Sequence, residues 1–596
     1  MKLSRFILPA LLALLALAPL LLPPFTVTLM NYVGLFSIVA LGLVLLTGVA
    51  GLTSFGQAAF CGIGAYATAI LTTQFGISPW LALIAALFIT GIVALLIGAI
   101  TLRLGGHYLP LATIAWGISL YYLFGTLPGL GQFTGIADLP ALSLFGIPLK
   151  SERAYYYLIW ATTLGALLLT HNLLTSQPGR IVQALNGTAS MAQAFGANTA
   201  RVKMQVFLYA ALLSCLSGWL YAHLQRYVNP SPFSVNAGIE YLFMAVIGGT
   251  GGVWGAVVGA AIVTFLRQVL QDVLPALLGR SGQFESIVFG ILIIVMLHRA
   301  RLGIWPLLKS FLPKPERQAL AEPLDIPQRP RRERGEGKLD GLHTQEILLD
   351  VRNLSKNFDG LPAVQDVSFQ VRVGEIVGLI GPNGAGKTTT FNLISGALPA
   401  SGGTVELNGH VISDREPYEI AEFGLTRTFQ HVKLVPDLSV LDNVMLGAWL
   451  RRKDGFVRSC LRLERKNETL SRREATRQLE RVGLLTHADT LAENLPLGHQ
   501  RLVEIARALM ANPLLLLLDE PAAALRHFEQ ERLFALLEQL RSENMTILLV
   551  EHDMDFVMRL ADRIVVMETG QKIAEGLPAA IQRNERVQNS YLGCAV

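Results

Sequence analysis

A glycine-rich loop in the second half of the sequence has the residue types needed to bind a nucleotide phosphate. The run Val377–Ile380 predicts a short buried strand, and an apolar helical pattern follows the loop. Between them stand Gly381, Pro382, Asn383, Gly384, Ala385, Gly386, Lys387, Thr388 and Thr389. In this strand–loop–helix context, backbone N–H groups can surround phosphate oxygens. Lys387 adds a positive charge for the β- and γ-phosphates, and Thr388 offers a hydroxyl to Mg²⁺. The loop therefore predicts an ATP site.

Acidic, amide and imidazole side chains further along the chain could complete that site. The apolar run Leu514–Leu518 predicts a buried strand that ends at Asp519 and Glu520. Asp519 can hold Mg²⁺ directly or through water, and Glu520 can orient and deprotonate an attacking water. His552 follows another apolar strand and can reach the γ-phosphate, while the Gln430 amide can reach Mg²⁺ or water. These residues predict transfer of a phosphoryl group from ATP to water.

Composition divides the chain into a membrane half and a soluble half. Of its 596 residues, 52% are hydrophobic and 16% are charged, whereas an average soluble domain has about 25% charged residues. Residues 1–300 contain long apolar runs, and residues 345–596 have charges every few positions. The sequence therefore predicts a polytopic α-helical membrane domain followed by an α/β P-loop NTPase domain.

Net charge and cysteine spacing argue against two other kinds of site. The formal net charge is only +5, and no basic face with interleaved aromatic residues indicates nucleic-acid binding. The four cysteines are Cys61, Cys215, Cys460 and Cys594. They have no CxxC or metal-ligand spacing, so we expect unpaired thiols that serve packing.

Apolar windows predict about ten transmembrane helices, because a spanning helix needs about 20 mostly apolar residues. The windows are 6–22, 28–49, 56–73, 80–101, 109–127, 155–174, 204–224, 238–250, 253–270 and 284–298. Lys2 and Arg5 place the N-terminus inside by the positive-inside rule. The same rule, with this even count, puts 175–203 and the soluble half on the cytoplasmic side. The first window is also compatible with a cleaved signal peptide.

Three features of the membrane half bear on transport. The glycine cluster 247–252 predicts a break between two membrane segments. The stretch 175–203 is compatible with a plain loop, or with a helix–Gly–helix element that receives force from an ATPase. Glu240 and Arg267 lie at window edges, where snorkelling suffices. No chain of buried acids indicates proton-driven transport, so the energy source must lie elsewhere.

A Pro- and Arg-rich stretch separates the two halves. Residues 313–345 carry five prolines and mixed charges and few apolar residues, so they predict a solvated tether. Contact of its basic cluster with anionic lipid headgroups is the alternative. The expected domains are therefore a permease at 1–312, a linker at 313–345 and an ATP-binding domain at 346–596.

The soluble half resembles the ATP-binding-cassette ATPases, most closely the ATP-binding subunit of bacterial branched-chain amino acid importers. The resemblance covers nearly all of 347–593. It implies Walker A at Gly381–Thr388, the Q-loop at Gln430, Walker B at Asp519, the catalytic acid at Glu520, the switch histidine at His552 and an adenine-stacking aromatic at Phe358.

The membrane half resembles the matching permease subunit over most of 28–300. The stretches that carry this resemblance are 56–66, 107–109, 196–203 and 248–255. The resemblance implies that 175–203 contacts a groove of an ATPase. Two subunits that are usually separate are joined in this sequence.

Two loops depart from the family pattern. The signature loop, Leu-Ser-Gly-Gly-Gln or a close relative in this family, reads here as 495–500, with Pro496 at the hydroxyl position. The D-loop reads Ala-Ala-Leu-Arg-His at 523–527. In a cassette dimer each ATP lies between one subunit's Walker motifs and the other's signature. The sequence therefore predicts two unequal ATP sites when the chain pairs with a different ATPase.

The resemblance implies an importer of hydrophobic amino acids in the bacterial inner membrane, with its ATPase domain in the cytoplasm. Expected partners are a second permease and a second ATPase subunit, or another copy of this chain, together with an extracytoplasmic substrate-binding protein. Membrane lipid and a small-molecule substrate are also expected partners. Importers of urea, short amides or another small solute share the architecture. An ABC exporter shares the domain order, although its cytoplasmic helices are usually longer.

Overall fold

The chain folds into two compact units in the computed structural model. The first comprises Met1–Gly187, Ala200–Leu320 and Phe456–Arg462, and the second comprises Thr188–Thr199, Ala321–Gly455 and Leu463–Val596. The structure describes residues 3–104, 108–144, 146–249, 251–278, 303–311, 346–451, 455–523 and 525–592, with scattered positions between 288 and 299. The expected linker and most of the tenth apolar window lie outside these residues.

Helices dominate the first half of the chain. They are α1 (Leu3–Leu21), α2 (Pro24–Leu43), α3 (Gln57–Thr73), α4 (Pro79–Thr101), α5 (Tyr108–Thr126), α6 (Glu152–Leu174), α7 (Gln177–Ala194), α8 (Thr199–Gln225), α9 (Val235–Gly248), α10 (Val253–Leu278) and α11 (Ile304–Ser310). A π-helical turn, Val44–Val49, extends α2, and a short hairpin pairs β1 (Ser143–Leu144) with β2 (Ile147–Pro148). Nine of the ten predicted windows thus coincide with helices.

Six helices in the described part of the chain are long and apolar enough to cross a membrane. They are Pro24–Val49, Pro79–Thr101, Tyr108–Thr126, Glu152–Leu174, Thr199–Gln225 and Val253–Val273. Two of these, in α2 and α8, are 72% buried, whereas those in α4 and α5 are only 28% buried. Apolar surface that is left exposed on a spanning helix suits hydrocarbon. The first half is therefore a multi-pass membrane region, with α2 and α8 at its centre.

Glycines let α3 and α8 approach each other closely. A Cβ at Gly64 of α3 would lie 2.3 Å from the Cys215 carbonyl oxygen, and one at Gly218 of α8 would lie 1.9 Å from the Cys61 carbonyl oxygen. Small residues at such crossings allow backbone packing where no hydrophobic effect drives association. Cys61, Cys215 and Cys460 are buried free thiols in the structure. Cys594 lies outside the described residues.

The glycine cluster breaks the membrane segment as predicted. Helix α9 ends at Gly248 and α10 begins at Val253. Gly249 has φ +105°, a backbone conformation that favours glycine. A Cβ at Gly259 would lie 1.8 Å from the Met244 carbonyl oxygen, so α9 and α10 pack against each other with almost no space between them.

The stretch 175–203 is a helix–Gly–helix element rather than a plain loop. Helix α7 ends at Ala194, α8 begins at Thr199, and Gly196 between them has φ +87°. Residues 188–199 of this element belong to the second compact unit.

The second unit contains two sheets. Its strands are β3 (Ile347–Phe358), β4 (Leu361–Arg372), β5 (Ile376–Ile380), β6 (Gly402–Leu407), β7 (His410–Val411), β8 (Leu425–Arg427), β9 (Leu515–Asp519), β10 (Thr546–Val550), β11 (Arg563–Glu568) and β12 (Gln571–Gly576). The larger sheet has the order β12-β11-β5-β10-β9-β8 and is parallel except at β12. The smaller sheet is antiparallel in the order β4-β3-β6-β7. This is the predicted α/β architecture.

Helices follow the strands of the second unit. They are α12 (Lys387–Ile394), α13 (Pro417–Glu422), α14 (Val440–Met445), α16 (Arg465–Arg481), α17 (Leu497–Met510), α18 (His527–Ser542), α19 (Met554–Leu560), α20 (Pro578–Gln582) and α21 (Glu585–Leu592). Helix α15 (Phe456–Cys460) belongs to the first unit. Strands β5, β9 and β10 are fully buried, and their carboxyl ends meet at one edge of the sheet. That edge positions the candidate site.

Candidate nucleotide-binding site

The glycine-rich loop connects β5 to α12 as the sequence predicts. Gly384 and Gly386 have φ +83° and +94°, so both occupy the left-handed region that glycine tolerates. Gly386 caps α12, and a Cβ there would lie 2.5 Å from the Ala363 carbonyl oxygen. The start of α12 presents unpaired N–H groups and the positive end of the helix dipole, which together suit a phosphate.

The ammonium group of Lys387 donates hydrogen bonds within its own loop. Its Nζ donates to the carbonyl oxygens of Gly381 and Pro382 at 2.8 and 2.9 Å. The side chain is buried, and this burial lowers the pKa of Lys387, although Glu520 and Asp519 oppose the shift. Phosphate oxygens offer a buried ammonium group stronger partners than two carbonyls do. The loop is thus arranged to exchange these carbonyls for phosphate.

Asp519 stands at the end of β9 with one oxygen paired and one free. Its Oδ2 lies 3.1 Å from Nη2 of Arg427, and both side chains are almost fully buried. Oδ1 is buried and has no hydrogen-bond partner among the described residues. Burial raises the pKa of Asp519, and Arg427 opposes that shift. An unpaired buried carboxylate oxygen beside the phosphate loop fits a ligand of Mg²⁺, directly or through water.

Glu520, Gln430 and His552 form one hydrogen-bonded cluster. Nε2 of Gln430 donates to Oε1 of Glu520 at 3.1 Å, and Nε2 of His552 lies 2.8 Å from the same oxygen. Glu520 has φ +48°, which is strained for a residue with a side chain. Its N–H donates to the Val550 carbonyl at 2.9 Å and holds this conformation. The structure therefore brings together three of the predicted site residues, Glu520, Gln430 and His552.

Arg501 was not found by sequence reasoning, yet it ties this cluster to α17. Its Nη1 donates to the Glu520 carbonyl at 2.8 Å, and its Nη2 donates to the Gln430 carbonyl at 3.1 Å. The side chain is buried. One guanidinium fork therefore fixes the backbone at two of the predicted catalytic positions. Its position directly after the signature loop was the sequence feature that could have indicated Arg501.

Arg427 was also missed. Besides Asp519, it donates to Oδ1 of Asn392 at 2.6 Å and to Oγ of Ser395 at 2.9 Å, both on the segment that follows the phosphate loop. An arginine three residues before Gln430 was the sequence feature that could have indicated it. Arg427 therefore connects the predicted magnesium ligand Asp519 to the helix that follows the phosphate loop.

Phe358 stands at the end of β3, and the residue is 42% exposed. Nζ of Lys356 lies 5.2 Å from the ring centroid. An exposed aromatic ring can stack on a nucleobase, since every base has a π face. The structure is compatible with the predicted contact to adenine.

The signature loop forms the start of α17. Pro496 is exposed at the N-cap and offers no side-chain hydrogen bond to the helix. Nε2 of Gln500 donates back to the Leu495 carbonyl at 2.8 Å. A Cβ at Gly498 would lie 2.5 Å from the Glu529 carboxylate. In the D-loop, Ala524 lies outside the described residues.

Residues 188–199 pack within the second unit. Nε1 of Trp449 donates to the Gly196 carbonyl at 3.0 Å, and Nζ of Lys433 donates to Oγ of Ser190 at 2.7 Å. The Arg507 guanidinium lies 5.1 Å from the centroid of the Phe195 ring. This segment therefore packs against Lys433, Trp449 and Arg507, and this contact surface is called the groove below.

Family models match three parts of the chain. One described as the permease component of the branched-chain amino acid transport system matches residues 25–297. The ABC transporter model matches 364–523, and one described as the branched-chain amino acid ATP-binding cassette transporter matches 571–593. The permease model thus lies in the membrane half, and the other two models lie in the soluble half.

Curated relatives resemble the soluble half over nearly their full length. The LivG high-affinity branched-chain amino acid transport ATP-binding protein of Salmonella typhimurium is 43% identical over 251 residues, which are 41% of this chain and 98% of the relative. The chain belongs to the branched-chain amino acid ABC transporter family. BraF of Pseudomonas aeruginosa is 40% identical over 249 residues, which are again 41% of this chain and 98% of the relative.

Solved structures similar to this family member include a nucleotide-free ATP-binding cassette from an ABC transporter. It is 31% identical and covers 42% of this chain and 100% of its own, with a TM-score of 0.38. The family models and the curated relatives account for both halves of the chain, a membrane permease and a cassette ATPase.

Proposed function

We propose that this chain couples ATP hydrolysis to import of branched-chain amino acids across a bacterial inner membrane. The observation that carries the proposal is the presence, in one chain, of a permease of this family and a phosphate loop near the Glu520–Gln430–His552 cluster. The relatives LivG and BraF are described as transporting branched-chain amino acids. We propose the domain boundaries 1–312, 313–345 and 346–596 for the permease, the linker and the ATPase.

Each site residue has a role in the proposed hydrolysis. Gly381–Thr389 and Lys387 bind the phosphates, and Phe358 stacks on adenine. Thr388, Asp519 and Gln430 would hold Mg²⁺, which neutralises charge on the β- and γ-phosphates when bound. Glu520 accepts a proton as water oxygen bonds to the γ-phosphorus and the bond to the β–γ bridging oxygen breaks. Gln430 and His552 hold the Glu520 carboxylate in position.

Contacts of residues 188–199 support the proposed coupling of ATP hydrolysis to transport. Their partner Lys433 lies three residues after Gln430 and donates its N–H to Oε1 of Glu504 at 2.9 Å. Arg507 donates to the Lys433 carbonyl at 2.8 Å, so the groove and the Q-loop share one network. Movement of Gln430 on nucleotide binding would therefore reach the membrane helices through Gly196.

The complete transporter needs partners. A second permease and a second ATPase complete it, as a related pair of chains or as another copy of this one, and an extracytoplasmic binding protein delivers the substrate. Pro496 supplies neither a hydroxyl nor an N–H to a phosphate at the signature loop. We propose that the productive ATP site combines this chain's Walker residues with a partner's signature loop.

Uptake by cells tests the proposed substrate. The chain is expressed together with its partner subunits and binding protein in a strain without its own branched-chain amino acid importers, and uptake of labelled L-leucine is measured. We expect uptake that isoleucine and valine compete for and that urea and acetamide leave unchanged. Uptake of urea or acetamide without leucine uptake would assign the alternative substrate. Extrusion of leucine from loaded cells would assign an exporter.

A further inference from the structure

A cavity in the membrane half combines aromatic walls with an ion pair. It has a volume of about 170 Å³ and lies among residues of α2, α3, α8, α9 and α10. Tyr32, Phe36 and Tyr241 form one wall, with neighbouring ring centroids 5.8 and 5.5 Å apart. Tyr221 and Phe233 form another, with centroids 5.8 Å apart. Glu240 and Arg267 supply the charges.

We propose that this cavity is a binding site for the amino acid during its passage through the permease. The inference rests on the proposed function and adds a site to it. Glu240 would bind the substrate ammonium group, Arg267 would bind its carboxylate, and the aromatic walls would contact the aliphatic side chain.

The ion pair has unused hydrogen-bonding capacity. Nη1 of Arg267 donates to Oε1 and Oε2 of Glu240 at 3.1 and 2.8 Å. Among the described residues, Nε and Nη2 of Arg267 have no hydrogen-bond partner. A guanidinium has five N–H donors, and a carboxylate has about four acceptor positions. A zwitterion can therefore bind to both charges without separating them.

Position and pairing argue against a purely snorkelling arginine. Arg267 lies within the span Val253–Val273, and its side chain turns to Glu240 on the neighbouring helix. The side chains of Arg267 and Glu240 are 50% and 31% exposed, so both remain reachable. Ionisable residues in spanning segments are costly and usually face a water-filled path or the interior of the bundle. A substrate path satisfies this requirement.

The size and lining of the cavity match one small amphipathic molecule. An apolar cavity of about 150 Å³ accommodates benzene. A cavity of similar size with charges on one part and aromatic rings on the other therefore fits a single hydrophobic amino acid better than a peptide. Binding sites of this kind are mostly apolar, with a few polar groups that orient the ligand.

Neutralising either charge tests the site. The complete transporter carrying Glu240→Gln or Arg267→Gln is reconstituted in proteoliposomes, with Asp272→Asn as the control. Asp272 is an exposed charge on the same helix, and it accepts a hydrogen bond from Gln268 at 3.0 Å. We expect L-leucine uptake to fall at least tenfold in both variants, as expected for loss of a charged hydrogen-bond partner. ATPase stimulation by the loaded binding protein should persist, and the control should match the wild type.

A second variant tests binding independently of the ion pair. Ala237 lines the cavity, so Ala237→Leu fills part of it. We expect uptake of leucine to fall at least threefold more than uptake of the smaller valine. An equal reduction of leucine and valine uptake would indicate a purely structural defect and would overturn the proposal.

The outcomes separate this site from the transport function itself. Wild-type transporter that takes up no branched-chain amino acid would overturn the proposed function. Wild-type uptake with normal uptake in both charge variants would overturn the site alone. If a charge variant does not reach the membrane, Glu240→Asp and Ala237→Leu decide: leucine uptake equal to that of the wild type in both contradicts the site.

Discussion

At the residue scale, the Glu520 carboxylate has the most direct chemical task. Its Oε1 is held by Gln430 at 3.1 Å and by His552 at 2.8 Å. Glu520→Gln keeps the size of the side chain and removes the base. General bases contribute about 10²–10⁴-fold, so we expect ATP turnover of the complete transporter to fall at least about 100-fold.

The matched control for that change is Glu538→Gln. Glu538 is a half-exposed carboxylate that lies 3.8 Å from Arg541 on α18. Turnover of the control should equal that of the wild type. Retention of most activity by Glu520→Gln would show that another residue, or the partner's site, carries hydrolysis.

Arg501 predicts a different kinetic effect, because it acts through backbone carbonyls. Arg501→Ala should lower kcat about tenfold with little change in the KM for ATP, since the phosphate loop remains intact. Arg501→Lys, whose single ammonium nitrogen replaces the two guanidinium nitrogens that donate here, should recover part of kcat. An increase in KM that accounts for the whole loss would contradict a positioning role.

Titration of buried site residues predicts the pH profile of kcat/KM for ATP, which reports the free enzyme. Burial raises the pKa of Asp519, so the carboxylate proposed to bind Mg²⁺ is protonated at a higher pH than an ordinary aspartate, whose pKa is about 3.9. Burial lowers the pKa of Lys387, so its positive charge is lost below the usual lysine value of about 10.4. At high Mg²⁺ concentration, the loss of kcat/KM at low pH should be smaller. Limbs at the ordinary values would contradict these assignments.

At the element scale, the turn at Gly196 between α7 and α8 packs against the groove within the second unit. A Cβ there would lie 2.3 Å from Leu450, and its φ is +87°. Gly196→Ala should therefore displace the turn and reduce both leucine uptake and stimulation of ATPase by the binding protein.

Gly187→Ala controls for backbone strain. Gly187 has φ +84°, and a Cβ there meets nothing within 4 Å. Uptake should fall much further in Gly196→Ala than in Gly187→Ala. Equal losses would assign the effect to strain alone and remove the groove contact from the account.

The crossing of α3 and α8 predicts a stability effect. Gly218→Ala places a methyl group 1.9 Å from the Cys61 carbonyl oxygen, and overpacking costs about 1–3 kcal/mol. The Tm of the detergent-solubilised protein should fall. Gly165→Ala on α6 has nothing within 4 Å of its Cβ and should leave Tm unchanged. Equal Tm values for the two variants would argue against close packing.

At the scale of the whole molecule, local patterns were predictable and long-range pairings were not. The phosphate loop and the strand ending at Asp519 follow from contiguous residues, so the sequence was sufficient. Arg427 is separated from Asp519 by 92 residues, and parallel strand pairing brings the two together. Glu240 and Arg267 were each interpreted as snorkelling, but the α9–α10 hairpin pairs them across 27 residues.

Coupling between the two halves is the central claim, and proteoliposomes test it most directly. The complete transporter is reconstituted with loaded binding protein outside and ATP inside, and leucine accumulation is measured together with ATP hydrolysis. We predict that both require the binding protein and that Glu520→Gln abolishes both. Leucine accumulation that proceeds without ATP, or that survives in Glu520→Gln, would contradict the account.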